Sequence, residues 1–280
     1  MATLTPQQRR RERLPRTRHP LDDPGFARTL DDLLAQYRAT ILPNAYELDQ
    51  RARINAADIA AALALWDANT SENAPSLTVP TQSDRIKPAL LVFLAYLTGH
   101  MATNAKDYRN GTALNVWLDR HLALIKHGSV VAGLAAYNGK DNLQQYGLDR
   151  TGQVARRQYD YAERMATDIL DGKQRQNGRL DARAALYAGV AWTGYQALRR
   201  RLQSDAVGGL LSASVAVSLG VDPEERYERN VQNSMEGCSQ CESETQEGWV
   251  PVGTLSSPGT RECLSFCKCD ISYGSDPNAP

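Results

Sequence analysis

The chain has no cysteine before Cys238, only three phenylalanines, and no net charge: 32 Lys and Arg residues offset 32 Asp and Glu residues. Charge neutrality removes bulk electrostatics as a guide to partners and leaves only the distribution of charge to read. Long apolar runs are missing too. The most apolar stretches, residues 88–97 and 207–219, fall well short of the roughly 20 residues a bilayer span needs. They are read as core segments, so a soluble protein with no membrane partner is expected. No apolar segment follows the arginine-rich start, so no secretory signal is expected. The sequence also lacks G-x-S-x-G, H-E-x-x-H and P-loop patterns, and no His-x-Glu precedes its C-x-x-C, as base deamination would require. An enzyme is therefore not expected. The acids that do occur in pairs, Asp22 and Asp23, Asp31 and Asp32, and Glu224 and Glu225, read as helix-start residues that favour the macrodipole.

What is present is a chain of 280 residues, 42% hydrophobic, which is enough for a sizeable core. Residues 1–25 carry Arg9, Arg10, Arg11, Arg13, Arg16 and Arg18 among scattered prolines, and read as a flexible arm with Arg9, Arg10, Arg11 and Arg13 as the candidate DNA contacts. Helical spacing then begins. Phe26, Leu30, Leu33, Leu34 and Tyr37 form one stripe up to Pro43, and Asn55 reads as the N-cap of a helix through Ile59, Leu63 and Trp66. After a polar linker over 69–84, a helix is expected over 86–101. Another carries Leu114, Trp117, Leu118, His121, Leu122 and Ile125 and stops at Gly128. His121 and His127 read as core or surface histidines rather than ligands. Residues 149–170 and 180–202 read as two longer helices joined by an Asn177-Gly178 turn and packed as an antiparallel pair. Arg199, Arg200 and Arg201 are taken as a helix end.

All five cysteines follow: Cys238-x-x-Cys241, a gap of about twenty residues, then Cys263-x-x-x-Cys267-x-Cys269. Two thiol clusters separated by a loop are the usual layout of a structural zinc site, with four thiolates about 2.3 Å from the metal. Cys238, Cys241, Cys267 and Cys269 are the expected ligands, with Cys263 as the substitute. Disulfides are the competing reading, disfavoured by the odd count and by the missing export signal. A redox role for the C-x-x-C is weaker still, since no βαβ pattern surrounds it. The expected architecture is mainly α: an arm over 1–25, a helical body over 26–225, a small cysteine-rich α+β module of zinc-knuckle type over 226–273, and a loose tail over 274–280.

Further residues in this segment carry a resemblance. Cys238-Ser-Gln-Cys241, Gly248-Trp249, Gly253-Thr254-Leu255, Pro258-Gly259 and Cys263-Leu-Ser-Phe-Cys267-Lys-Cys269 with Tyr273 resemble the tail of phage Mu F-like head morphogenesis proteins, and residues 183–195 resemble the helix that precedes it. The match covers residues 180–273, with Phe266 and Lys268 where many relatives have Asn and Arg. The resemblance implies a minor capsid protein of a bacteriophage virion, acting near the portal in head assembly or DNA packaging. It implies portal or capsid proteins as partners, and the virion, or host cytoplasm during assembly, as its location. A zinc-containing nucleic-acid-binding protein is the alternative. Charge disfavours it: from Glu236 to Asp270 the only bases are Arg261 and Lys268, against six acids (Glu236, Glu242, Glu244, Glu247, Glu262 and Asp270), and such a surface repels phosphate.

Overall fold

The computed structural model describes residues 24–80, 83–232, 238–256 and 269–278. The arginine arm, with Arg9, Arg10, Arg11 and Arg13, lies outside the described residues, as do Asp22, Asp23, Cys263 and Cys267. The chain divides into two compact units, residues 1–42 and 43–280. Helix α1 (Pro24–Ile41) belongs to the first. Its first turn holds no acid, so Asp31 and Asp32 sit in the helix interior and do not serve its N-terminus as expected.

The second unit opens with α2 (Ala45–Ala52) and α3 (Ala56–Asn69), each started by an asparagine. Asn44 Oδ1 accepts the Glu47 amide at 3.0 Å, and Asn55 Oδ1 accepts the Ala57 and Asp58 amides at 2.9 and 3.1 Å. Glu47 and Asp58 return bonds to the capping residues' own amides, closing two capping boxes. Helix α4 (Ser83–Arg109) is longer than its expected 86–101. By length and apolar content its 85–109 segment is long and apolar enough to cross a membrane. In this fold the Ile86, Leu90, Phe93, Leu97, Met101 and Ala105 side of the helix is buried against neighbouring helices.

Helix α5 (Leu114–Ala136) is the centre of the body. It packs against α3 and α4 and against α7 (Leu148–Leu170) and α9 (Val190–Val207). A helix covered on that many sides is apolar nearly all round rather than striped. Its second half, from Gly128 to Ala136, is buried at every position. Gly128 therefore does not end this helix. A Cβ there would lie 2.8 Å from Val190 Cγ1 and 3.0 Å from Leu97 Cδ1, so glycine permits three helices to converge. Both α7 and α9 pack chiefly on α5 and only secondarily on each other, which replaces the expected antiparallel pair by a central helix with flanks. Helix α6 (Lys140–Tyr146) bridges α5 and α7.

The expected 180–202 helix is two helices. Helix α8 (Gly178–Ala185), capped by Asn177, meets α9 through a single 3-10 turn at Leu186–Gly189. Because α9 runs on to Val207, the Arg199–Arg201 triplet is interior and the helix-end reading fails. A short α10 (Ala213–Ser218) follows. Residues 222–226 form a turn in which Asp222 Oδ1 accepts the Glu224 amide at 2.9 Å, so Glu224 and Glu225 start no helix. A three-stranded antiparallel sheet completes the unit, with β1 (Tyr227–Val231) between β2 (Val250–Pro251) and β3 (Asp270–Gly274). Helix α11 (Ser239–Gln246) packs on β1. The fold is mainly α, with one small sheet.

Candidate metal centre

Cys238 stands immediately before α11 in extended conformation, and its sulfur caps the helix by accepting the Cys241 amide at 3.5 Å. Cys241 lies in the first turn of α11, and the two sulfurs are 3.3 Å apart. A disulfide bond measures about 2.05 Å. Two sulfurs on one tetrahedral zinc with bonds of about 2.3 Å lie about 3.8 Å from each other. The observed separation is closer to the shared-ion geometry than to the covalent one.

The third thiol arrives from the other end of the segment. Cys269, buried like Cys241, directly precedes β3, and Cys238, Cys241 and Cys269 form one packed cluster. Three devices put them there. Strand β3 zips along β1 from Val231–Asp270 to Tyr227–Gly274. Asn230, inward on β1, donates to the Cys241 carbonyl at 3.1 Å and to Thr245 Oγ1 at 2.7 Å, fastening α11. Trp192 of α9 donates its indole N–H to the Cys269 carbonyl at 3.1 Å. Of the expected ligands, Cys238, Cys241 and Cys269 come together; Cys267 and its substitute Cys263 lie outside the described residues. Among the described residues no group of three or more His, Cys, Asp or Glu is arranged to hold a metal ion. Three sulfurs converge here, one of them receives an amide hydrogen bond, and no disulfide joins them.

The cluster rests on a buried polar frame that sequence reasoning missed. Glu228 of β1 is fully buried. Its carboxylate accepts Arg200 Nε and Nη2, each at 2.9 Å, and its Oε1 also accepts the Gly253 and Leu255 amides at 3.0 and 2.9 Å. A buried ion pair is tolerated when its remaining hydrogen-bonding capacity is met, as here. One side chain thus joins α9, β1 and the loop after β2. Asp270 makes a second joint: it accepts Lys87 Nζ at 2.6 Å, Gln196 Nε2 at 2.8 Å and the Ile271 amide at 2.9 Å. Arg199 donates to the Ala136, Leu219 and Gly220 carbonyls. Arg201 pairs with Asp205 at 3.1 Å, one turn on. The arginine triplet lies within α9, not at a helix end, and is structural cross-linking.

His121 is buried and far from the thiols in role as well as sequence. It stacks on Trp117 and meets Tyr187 edge-on, and burial pushes its pKa down to about 3. It belongs to the core, as its apolar neighbours imply.

No family model, curated protein or solved structure matches this chain. The tail resemblance therefore stands on the residues quoted for it.

Proposed function

We propose that this chain is a structural component of a bacteriophage particle, a minor capsid protein that acts beside the portal in head assembly or DNA packaging. Its C-terminal thiols bind one zinc ion for structural purposes. The observation that carries the zinc part is the packing of half-buried Cys238 against buried Cys241 and Cys269, which brings together two separate stretches of chain. When bound, zinc would supply a cross-link stronger than this small sheet can provide by packing alone. Cys238 and Cys241 would hold it from the helix N-terminus, Cys269 from the foot of β3, and Cys267 is the proposed fourth ligand. The phage part rests on the tail resemblance. Portal or capsid proteins are the proposed partners, and the Arg9–Arg13 arm is the proposed contact to DNA.

Elemental analysis with thiol counting, on protein purified under reducing and metal-sparing conditions, tests the metal. About one zinc per chain with one reactive thiol left over is the expected outcome. No metal and few titratable thiols would replace the zinc with disulfides. Co-sedimentation with heads or portal from infected cells tests the location, and a pool found only in the soluble fraction would contradict it. Deleting residues 1–20 should weaken DNA binding and flatten its salt dependence. Unchanged binding would exclude the arm.

A further inference from the structure

The sheet has one open edge, and its geometry can be worked out from hydrogen-bond parity. In an antiparallel ladder, residues alternate between turning their N–H and C=O toward a partner strand and turning them away. The Val252 amide donates to the Arg226 carbonyl at 2.9 Å, and Glu228 stands opposite Val250 in the same register. Arg226 and Glu228, two residues apart, therefore both face β2 with their backbone groups. Glu228 is also opposite Tyr273 of β3. With the Glu228 backbone directed at β2, Tyr273 turns its own N–H and C=O away from β1. Ile271, two residues earlier, has the same orientation, and its N–H is taken by Asp270 Oδ1 at 2.9 Å. The Ile271 carbonyl and both backbone groups of Tyr273 thus point out of the sheet edge.

A groove of about 570 Å³ lies along that edge. Ile271, Ser272 and Tyr273 all line it. Consecutive strand residues point to opposite faces, so a space touching all three runs beside the strand rather than above it. Residues of helix α9 that include Arg199, and the segment from Val217 to Glu225, line it as well, and Arg199 joins the two through the Leu219 and Gly220 carbonyls. Tyr273 also carries a buried hydroxyl with no hydrogen-bond partner among the described residues.

The charge of the groove is specific. Lys87 is ion-paired with Asp270, and Arg199 spends its guanidinium on three carbonyls. Asp222, whose Oδ1 accepts the Glu224 amide, and Glu225 are the acids of the groove that face no bonded base among the described residues. Glu225 is half-buried, and its carboxylate has no hydrogen bond or ion pair among the described residues. Burial first, then neighbouring Asp222, push its pKa up against the opposing pull of Arg199. Such a carboxylate is stabilised by an incoming cation.

We propose that this groove binds an extended peptide segment of a partner protein, which adds to β3 as a fourth strand and sets a lysine or arginine between Asp222 and Glu225. Backbone bonds to the Ile271 carbonyl and to Tyr273 give the affinity, and the basic side chain gives the selectivity. The proposal is independent of the metal.

The full-length protein is tested with a blocked seven-residue peptide of alternating valine and threonine carrying a central lysine. At about 1 mM peptide, hydrogen exchange of the Tyr273 amide should slow by about tenfold, the protection given by a peptide present at about ten times its Kd. Methylating the peptide amides on the strand-pairing side should abolish that protection without changing its charge. Replacing the central lysine with glutamate should weaken binding by about tenfold. The double substitution Asp222→Asn with Glu225→Gln, both on the surface of the groove, should erase that preference. Unaltered Tyr273 exchange at this concentration, or equal protection by the methylated peptide, would overturn strand addition. Protection accompanied by dimerisation without peptide would assign the edge to a second copy instead.

Discussion

Both ring nitrogens of His121 are buried with no hydrogen-bond partner among the described residues. The imidazole is held as a neutral aromatic disc between Trp117 and Tyr187, and desolvation keeps it so down to about pH 3. An unfolded chain takes up this proton near pH 6.5. Between those values the unfolded state binds one more proton than the folded state, so stability falls as pH falls. The slope is about 1.4 kcal/mol per pH unit from this group. In His121→Phe, which keeps an aromatic ring and cannot protonate, urea unfolding at pH 7 and pH 5 should give closer stabilities than in the parent. Equal differences in both proteins would assign the acid sensitivity elsewhere. Gly128 is decided by competing magnitudes. Alanine gains about 1 kcal/mol of helix propensity over glycine. Its methyl would stand 2.8 Å from Val190 Cγ1 and 3.0 Å from Leu97 Cδ1, and overpacking of that kind costs about 1–3 kcal/mol. Gly128→Ala should therefore be net destabilising by chemical denaturation, the opposite of the effect at an open helical glycine.

At the scale of elements, Glu228 is the test of what holds the sheet to the helices. Glu228→Gln leaves Arg200 charged and buried without its counter-ion, which costs about 3–5 kcal/mol. Replacing both partners by methionine removes the stranded charge and should cost clearly less, as measured by thermal unfolding of the two variants. A larger loss in the double variant would mean that the amides of Gly253 and Leu255, not Arg200, are the critical partners. This frame also explains which elements could be read in advance. Helix α3 announced itself through Asn55 and its apolar spacing. Strand β1 did not, because its inward positions are Glu228 and Asn230. A strand whose buried face is polar reverses the alternation on which strand recognition depends. Helix α5 was cut short for a related reason: a glycine inside a fully buried helix serves packing, and no one-dimensional pattern separates that from a stop. In the metal centre, the spacing of thiols was legible, whereas the residues that aim them, Asn230 and Trp192, act through contacts with distant parts of the sequence.

Across the whole molecule, the thiol segment is bonded into the helical unit rather than appended to it. Arg200–Glu228, Gln196 and Lys87 with Asp270, and Trp192 with the Cys269 carbonyl all cross between helices and sheet inside residues 43–280. The Arg200–Glu228 link is buried and charged and Lys87–Asp270 is partly buried, so the sheet cannot detach without stranding Arg200 and Lys87 in the helical face. Cooperativity should follow: the 43–280 unit is expected to melt in a single transition that tryptophan fluorescence, reporting on Trp66, Trp117, Trp192 and Trp249, and far-ultraviolet circular dichroism both record. On the zinc reading, metal removal then has a distinctive signature. A chelator added under reducing conditions should lower the midpoint of that one transition, because a ligand bound only by the native state stabilises everything that unfolds with it. Cys241→Ser should reproduce the lowered midpoint and be insensitive to further chelator. A separate early transition confined to fluorescence would instead show a module that folds by itself, and a midpoint indifferent to both chelator and Cys241→Ser would remove the metal from the account of this fold.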